Sequence, residues 1–294
     1  MADSQNQILV TDFTNQLELE VQQATSMFRG KIPEMPVTGD IFEHQNLGAE
    51  EADEITTRNQ LITLGAPEHE RRGALIQGFY KALPVDNDDV LKSLVDIKSG
   101  YARTLSQMMM RRLDKTCAAA AIGSILTGKQ FTSTVTASTD GVQTVTAGSG
   151  LTYDKLREVQ QKLMSKGNML DGEKAYIAMT DVQFSSLMDE VEVISSDYNR
   201  AEAAKTGVLP TVLGFEFIVF PSNPKTGESI IAKPSTRSCF AFTESALKLG
   251  MLSDMEVRYE RNPAYVDMHQ LVITSRFAAL RTQGEKVVQI NVTE

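Results

Sequence analysis

The sequence predicts an α+β fold, a mixed body of strands and helices arranged around one long helix. Three observations carry this reading. Apolar residues recur at helical spacing from about 88 to 127. Two β-prone segments precede that stretch, between 37 and 85, and are joined by a polar break. Short apolar runs and helical patterns then alternate from 151 until VVQINV at 287–292.

At the N-terminus, Ile8, Val10, Phe13, Leu17, Val21, Ala24 and Phe28 form a stripe with spacings of mostly three and four. This predicts an amphipathic helix whose stripe must lie on some surface. Gly30, Pro33 and Pro36 stop it. Residues 54–64 (EITTRNQLITL) and 74–83 (ALIQGFYKAL) read as extended. Gly65, Ala66 and Pro67 separate them, which predicts a long projecting hairpin. A two-stranded hairpin is marginal alone in water, so this one needs a partner surface. Glu43, Glu50, Glu51, Asp53 and Glu54 make its first half acidic, while Arg58 and the pair Arg71-Arg72 are basic.

The long helix starts after Asp86, Asn87 and Asp88, whose oxygens suit an N-cap. Its stripe is Val90, Leu94, Ile97, Tyr101, Leu105, Met108, Cys117, Ala120 and Ile125, and Gly128 is its expected stop. Residues 129–150 then alternate Thr and Val around Asp140-Gly141, a hairpin signal. Downstream, Thr152 caps a helix over 153–166 closed by Gly167. A buried strand follows at 175–179, then a helix at 182–190 and a weak helix at 198–205. Strands are expected at 213–220, 230–232, 238–242, 255–260, 265–274 and 276–282, with a short helix at 244–250.

Function classes narrow by exclusion. The net charge of −9 argues against a nonspecific grip on nucleic acid, which needs a basic face. No segment is apolar for long enough to span a membrane, and MADSQNQILVTDF lacks the features of a secretory signal. An intracellular protein is therefore expected. Cys117 and Cys239 are far apart and read as buried thiols. His44, His69 and His269 are scattered, so no metal site is expected. No phosphate-binding glycine loop and no GxSxG elbow occurs. Neither a catalytic residue nor a cofactor is assigned.

The order of elements resembles the major capsid proteins of tailed bacteriophages, which share the Hong Kong 97-type fold. The stretch VDNDDVLKSLVDIKSGYARTLSQMMMRRLDKTCAAA resembles the spine region of podovirus-like members. There an Asp-rich start leads into a helix with a Tyr and then an Arg-x-x-Asp element, here Asp86, Asp89, Tyr101, Arg111 or Arg112, and Asp114. Residues 207–223 (GVLPTVLGFEFIVFPSN) and 240–261 (FAFTESALKLGMLSDMEVRYER) resemble two further stretches of the family.

The resemblance implies an N-terminal arm at 1–36 and an extended loop at 37–85. It implies a peripheral domain from 86–175 (with spine helix 88–127), 200–235 and 256–294, and an axial domain mainly from 176–255. It implies hexamers and pentamers closing an icosahedral shell around double-stranded DNA, in a virion assembled in the host bacterial cytoplasm. The partners would be other copies of the chain, a separate scaffolding protein and a portal protein, with no membrane. Glu43, Glu50, Glu51, Asp53 and Glu54 would pair with Arg71 and Arg72 between subunits, and Arg58 is a further inter-subunit candidate. The stripe of Phe13, Leu17 and Val21 would lie on its own or a neighbouring subunit. No Lys–Asn–Glu crosslinking trio is identified.

Rival expectations are an encapsulin-type nanocompartment shell, a soluble α/β enzyme with a dispersed active site, and a phage ring protein. Residues 43–83 are expected to be mobile in a free subunit and ordered in a shell. Deleting residues 1–30 is expected to leave a folded subunit whose shells, viewed by electron microscopy, are fewer or malformed.

Overall fold

The computed structural model describes residues 23, 25–62, 64–86, 97–148, 150–170, 172–189, 211–224, 229–231, 237–262 and 268–293. The expected helices at 8–28 and 198–205 fall almost wholly outside these residues, as do Phe13, Leu17 and Val21. The expected first turns of the spine helix do too.

The spine is α1, Ile97–Ile122. Its inward face is Leu105, Met109, Leu113, Cys117 and Ala121, each buried and each four residues from the last. This repeat keeps one ridge of the helix against the core. The stripe read from sequence included Met108 and Ala120, which sit beside that ridge and are only half-buried.

The helix ends at Ile122, not at 127 as the sequence predicts. Gly123 closes the last turn through its N–H to Ala119 O at 2.8 Å, and Ile125–Thr127 becomes a strand. What stops it is a cation. Arg281 Nη1 donates to the carbonyl oxygens of Ala120, Ala121 and Gly123 at 3.2, 2.9 and 3.0 Å. Those are the carbonyls a helix end leaves unpaired, at the negative end of its dipole.

Three sheets surround the spine. The first contains β1 (Glu34–Pro36), β4 (Gln77–Asp86), β11 (Leu247–Arg261) and β12 (Met268–Arg281), in the order β1-β11-β12-β4. β12 is one continuous strand where the sequence suggests two. Leu271, Ile273, Phe277 and Ala279 face the core packed against α1, while Ala278 and Leu280 face the other way onto Phe42 and Ile125. Period-two alternation thus serves two separate cores. Gly250 in β11 makes the second possible, because a Cβ there would sit 2.6 Å from the Phe42 ring.

The second sheet runs β7-β13-β10-β8-β9, from Gln143–Ala147, Val287–Val292, Arg237–Thr243, Ala175–Thr180 and Phe215–Phe220. β8 is buried along its whole length. One face of the sheet carries α2 (Tyr153–Ser165) and α3 (Asp181–Met188) over Ile177, Ala241 and Ile290. The other face presents Tyr176, Ile218, Phe240 and Phe242 to the core shared with α1. Thr152 caps α2 through Lys155 N at 3.4 Å, and Gly167 follows it at φ +81°, as the sequence predicts.

The third sheet is β2-β3-β5-β6, from Ile41–Leu47, His69–Leu75, Ile125–Thr127 and Ser133–Val135. Its strands differ from the expectation in two ways. The hairpin is formed by 41–47 and 69–75, because residues 54–62 make no strand, and β4 pairs with β12 instead of with the loop. Residues 129–150 do turn at Asp140-Gly141, but β6 pairs with β5 and β7 pairs with β13. The polar alternation therefore feeds two different sheets. Two smaller expectations also change. Glu244–Ala246 is a single 3-10 turn before β11, and Ile230 and Ile231 are not in a strand. Among the described residues no helix is long and apolar enough to cross a membrane.

Where the sheets meet, Asp140 binds two arginines. Its carboxylate accepts from Arg281 Nε at 2.7 Å and pairs with Arg72 Nη2 at 2.7 Å, with all three side chains nearly solvent-free. Arg72 also reaches Glu70 at 2.8 Å. The turn lies close to Gly284, where a Cβ would stand 2.0 Å from Asp140 O. Removing one member of such a network leaves buried charge uncompensated. Asp140→Ala is therefore expected to lower the unfolding free energy of the subunit by about 3–5 kcal/mol, measured by urea denaturation.

Candidate assembly surfaces

The loop between β2 and β3 is the most exposed part of the described chain. Gly48 N–H donates to Glu68 O at 2.8 Å and closes its neck. Beyond the neck the backbone is irregular, with Gln60 Oε1 accepting from Thr56 N at 2.8 Å and Asn59 at φ +68°. Ile55, Leu61, Ile62 and Leu64 are 83–91% exposed. Four large apolar side chains this bare in one segment mark a contact surface rather than ordinary surface scatter. Glu50, Glu51, Asp53, Glu54 and Arg58 are exposed on the same loop. Among the described residues none of these five charges has an ion-pair partner.

The hairpin below the loop disposes of the other predicted charges. Glu43 and Arg71 come together, but within one chain, as a direct ion pair. Arg71 also lies 5.2 Å from the centre of the Phe131 ring and donates to Lys129 O at 3.3 Å. Arg72 is buried by Asp140 and Glu70. Both arginines thus have carboxylate partners within the chain.

A second surface holds the arm. Asp114 on α1 is fully buried and receives Gln23 Nε2, Ser26 Oγ, Met27 N–H and Phe28 N–H. Burial raises its carboxyl above the ordinary range, and these hydrogen bonds act in the opposite sense. Immediately after the clasp, Phe28 is buried among Phe220, Phe240 and Phe242, with ring centres 5.5–6.1 Å away. Arg29 then pairs with Glu34 and Asp254 at 3.1 and 3.2 Å. Asp114 was legible as a motif residue but not as the arm's anchor, because its partners lie 86–91 positions away.

A third group was not legible at all. His44 of β2, Lys248 of β11 and Lys286 come from three distant segments. Lys248 Nζ lies 3.4 Å from His44 Nδ1, and Lys286 Nζ donates to Ser245 Oγ at 2.6 Å. Burial lowers the pKa of Lys248, and the Lys286 charge lowers it further. Burial likewise lowers that of His44, followed by the charges of Lys248, Arg72 and Lys286. No carboxylate lies within ion-pairing distance of His44, Lys248 or Lys286 among the described residues.

Features expected of a catalytic centre are sparse. Among the described residues no cluster of His, Cys, Asp and Glu is arranged to hold a metal. Cys117 is buried, which raises its thiol pKa and leaves it a weak nucleophile. A groove at the loop base, against Ala74, Leu75, Ala119, Leu126 and Ala278, has no titratable lining.

Comparison with known proteins adds the following. A family model described as phage capsid protein matches residues 6–294. A search of curated proteins returned no match. The capsid of cyanophage P-SCSP1u has a similar structure, with TM-score 0.72 and 13% identity over 98% of this chain and 94% of that one. The capsid of cyanophage Pam1 matches with TM-score 0.70 and 13% identity over 96% of each chain. A structure from Mycobacterium phage Che8 matches with TM-score 0.69 and 13% identity over 95% and 96%.

The buried Phe28 changes the expected result of truncation. Deleting residues 1–30 removes a core aromatic, so it should destabilise the subunit itself by about 3–5 kcal/mol. Asp114→Ala strands the donors of the arm and should cost about 2–4 kcal/mol. Thermal unfolding of each variant checks both, and an unchanged midpoint would contradict the anchor.

Proposed function

The chain belongs to the phage capsid protein family, and on that premise we propose that it builds hexamers and pentamers of an icosahedral shell around double-stranded DNA. As a major capsid protein it forms the shell of a virion. Its role is structural rather than catalytic. We assign the five-stranded sheet with α2 and α3 to the axial part, and α1 with the long sheet to the peripheral part. β7 and β13 then join the axial part, although the sequence places 143–147 and 287–292 in the peripheral one.

The observation that carries this reading is the exposed loop on its rigid hairpin. Burying Ile55, Leu61, Ile62 and Leu64 on a neighbour would contribute about 6–12 kcal/mol gross. Fixing the loop backbone opposes this by about 1–2 kcal/mol per residue. The four apolar side chains are therefore not sufficient alone, and polar contacts must add to them. Obligate interfaces of this kind bury on the order of 2,000 Å² or more, enough for both. A separate scaffolding protein and a portal protein complete the assembly, which takes place in the host bacterial cytoplasm.

Limited proteolysis tests the loop's part. Cleavage within residues 48–68 should fall at least tenfold when free subunits become shells, because burial removes the open conformers a protease needs. Equal cleavage in both states would contradict it.

A further inference from the structure

We propose that His44, Lys248 and Lys286 form an anion-binding cluster that receives the acidic segment Glu50–Glu54 of a second copy of this chain. The proposal rests on the shell reading above and supplies the polar contacts that the apolar quartet lacks.

The argument begins with unbalanced charge. Two lysines sit within electrostatic reach of one another beside a histidine, and no carboxylate of the described chain neutralises them. Acids near Arg72, Lys286 and Ser245 are engaged elsewhere: Glu70 and Asp140 with Arg72, Glu285 with Lys166 at 2.7 Å, and Glu173 with the Ser245 N–H at 2.6 Å. Partial burial makes an uncompensated ammonium costly, and a carboxylate ligand relieves that cost. The donors are suitable for one. Lys248 Nζ and His44 Nδ1 stand 3.4 Å apart, so the ammonium and the imidazole share one site. Lys286 is held in place by the Ser245 hydroxyl at 2.6 Å, a contact that does not neutralise its charge.

The complementary charge lies on the loop. Glu50, Glu51, Asp53 and Glu54 are exposed, and none has an ion-pair partner among the described residues. On their own chain they are held away from these three residues. β2 runs extended from Ile41 to Leu47 and carries them away from His44, and the Gly48–Glu68 hydrogen bond holds the neck shut. Asn46 Nδ2 donates to Thr282 O at 2.6 Å and fixes β2 against the body. With its own loop held away, a neighbouring copy is the source of the anion. Such opposed patches set register between subunits more than raw affinity.

The test is a charge exchange in the full chain. One variant carries Lys248→Glu and Lys286→Glu; the other carries Glu50→Lys, Glu51→Lys, Asp53→Lys and Glu54→Lys. Circular dichroism checks that each folds; if the first does not, Lys248→Met with Lys286→Met replaces it and is read alone, for loss of particles, without the combination. Sedimentation counts the particles. Each variant alone should give roughly tenfold fewer particles than the unaltered chain, because like charges then meet. Combining both sets in one chain should restore the yield to within about twofold, as the exchanged pair attracts again.

Wild-type yield from either variant alone, or no recovery in the combination, overturns the pairing. Normal particles that retain less DNA would assign the lysines to phosphate and also overturn it. In these cases the shell reading stands. No particles from the unaltered chain produced together with its scaffolding protein would overturn both.

Discussion

A single buried carboxylate holds the architecture together. Asp140 pairs with Arg281 from the long sheet and Arg72 from the loop hairpin, and Arg281 in turn caps the spine helix through the carbonyls of Ala120, Ala121 and Gly123. Helix end, sheet end and hairpin base are thereby fixed to one point. A charge network of this kind is weak as a source of stability, since hydrophobic groups of the same shape often do as well. Its value is geometric. The guanidinium fork fixes direction, so the hairpin leaves the body at one angle.

The apolar core lies on both sides of the long sheet. β12 runs between α1 and the third sheet, with Phe277 and Ala279 on one face and Ala278 and Leu280 on the other. The N-terminal arm is fixed independently, by the Asp114 clasp and by Phe28 among three other phenylalanines. Tight packing on both sides of the long sheet leaves little room for the loop base to shift, because protein interiors pack like crystals.

The contrast between this body and the loop explains the capsid role in physical terms. A shell subunit must fold alone, yet it must keep favourable contacts in reserve for its neighbours. Here the reserve is an irregular segment whose apolar side chains stand in water and whose carboxylates have no ion-pair partner among the described residues. The hairpin beneath it satisfies its own charges, through Glu43 with Arg71 and Arg72 with Asp140. The division between satisfied base and unsatisfied tip is what allows one chain to be stable and still associate.

The sequence by itself determined the elements whose signals are local. The α+β class, much of the spine helix, the Thr152 cap, and the strands near 175–180, 215–220, 237–243 and 287–292 all follow from periodicity and capping chemistry. The order of those elements also carried the family resemblance. Only the tertiary structure decided how strands pair and which charges are already matched. β6 and β7 look like one hairpin but join separate sheets. The pairing of Arg71 with Glu43 and of Arg72 with Asp140 has no local signal. The His44–Lys248 pair draws on segments some 200 positions apart. Backbone propensity is settled by neighbours a few residues away, whereas a strand's partner and a buried charge's counter-ion are settled by long-range packing that no local pattern records.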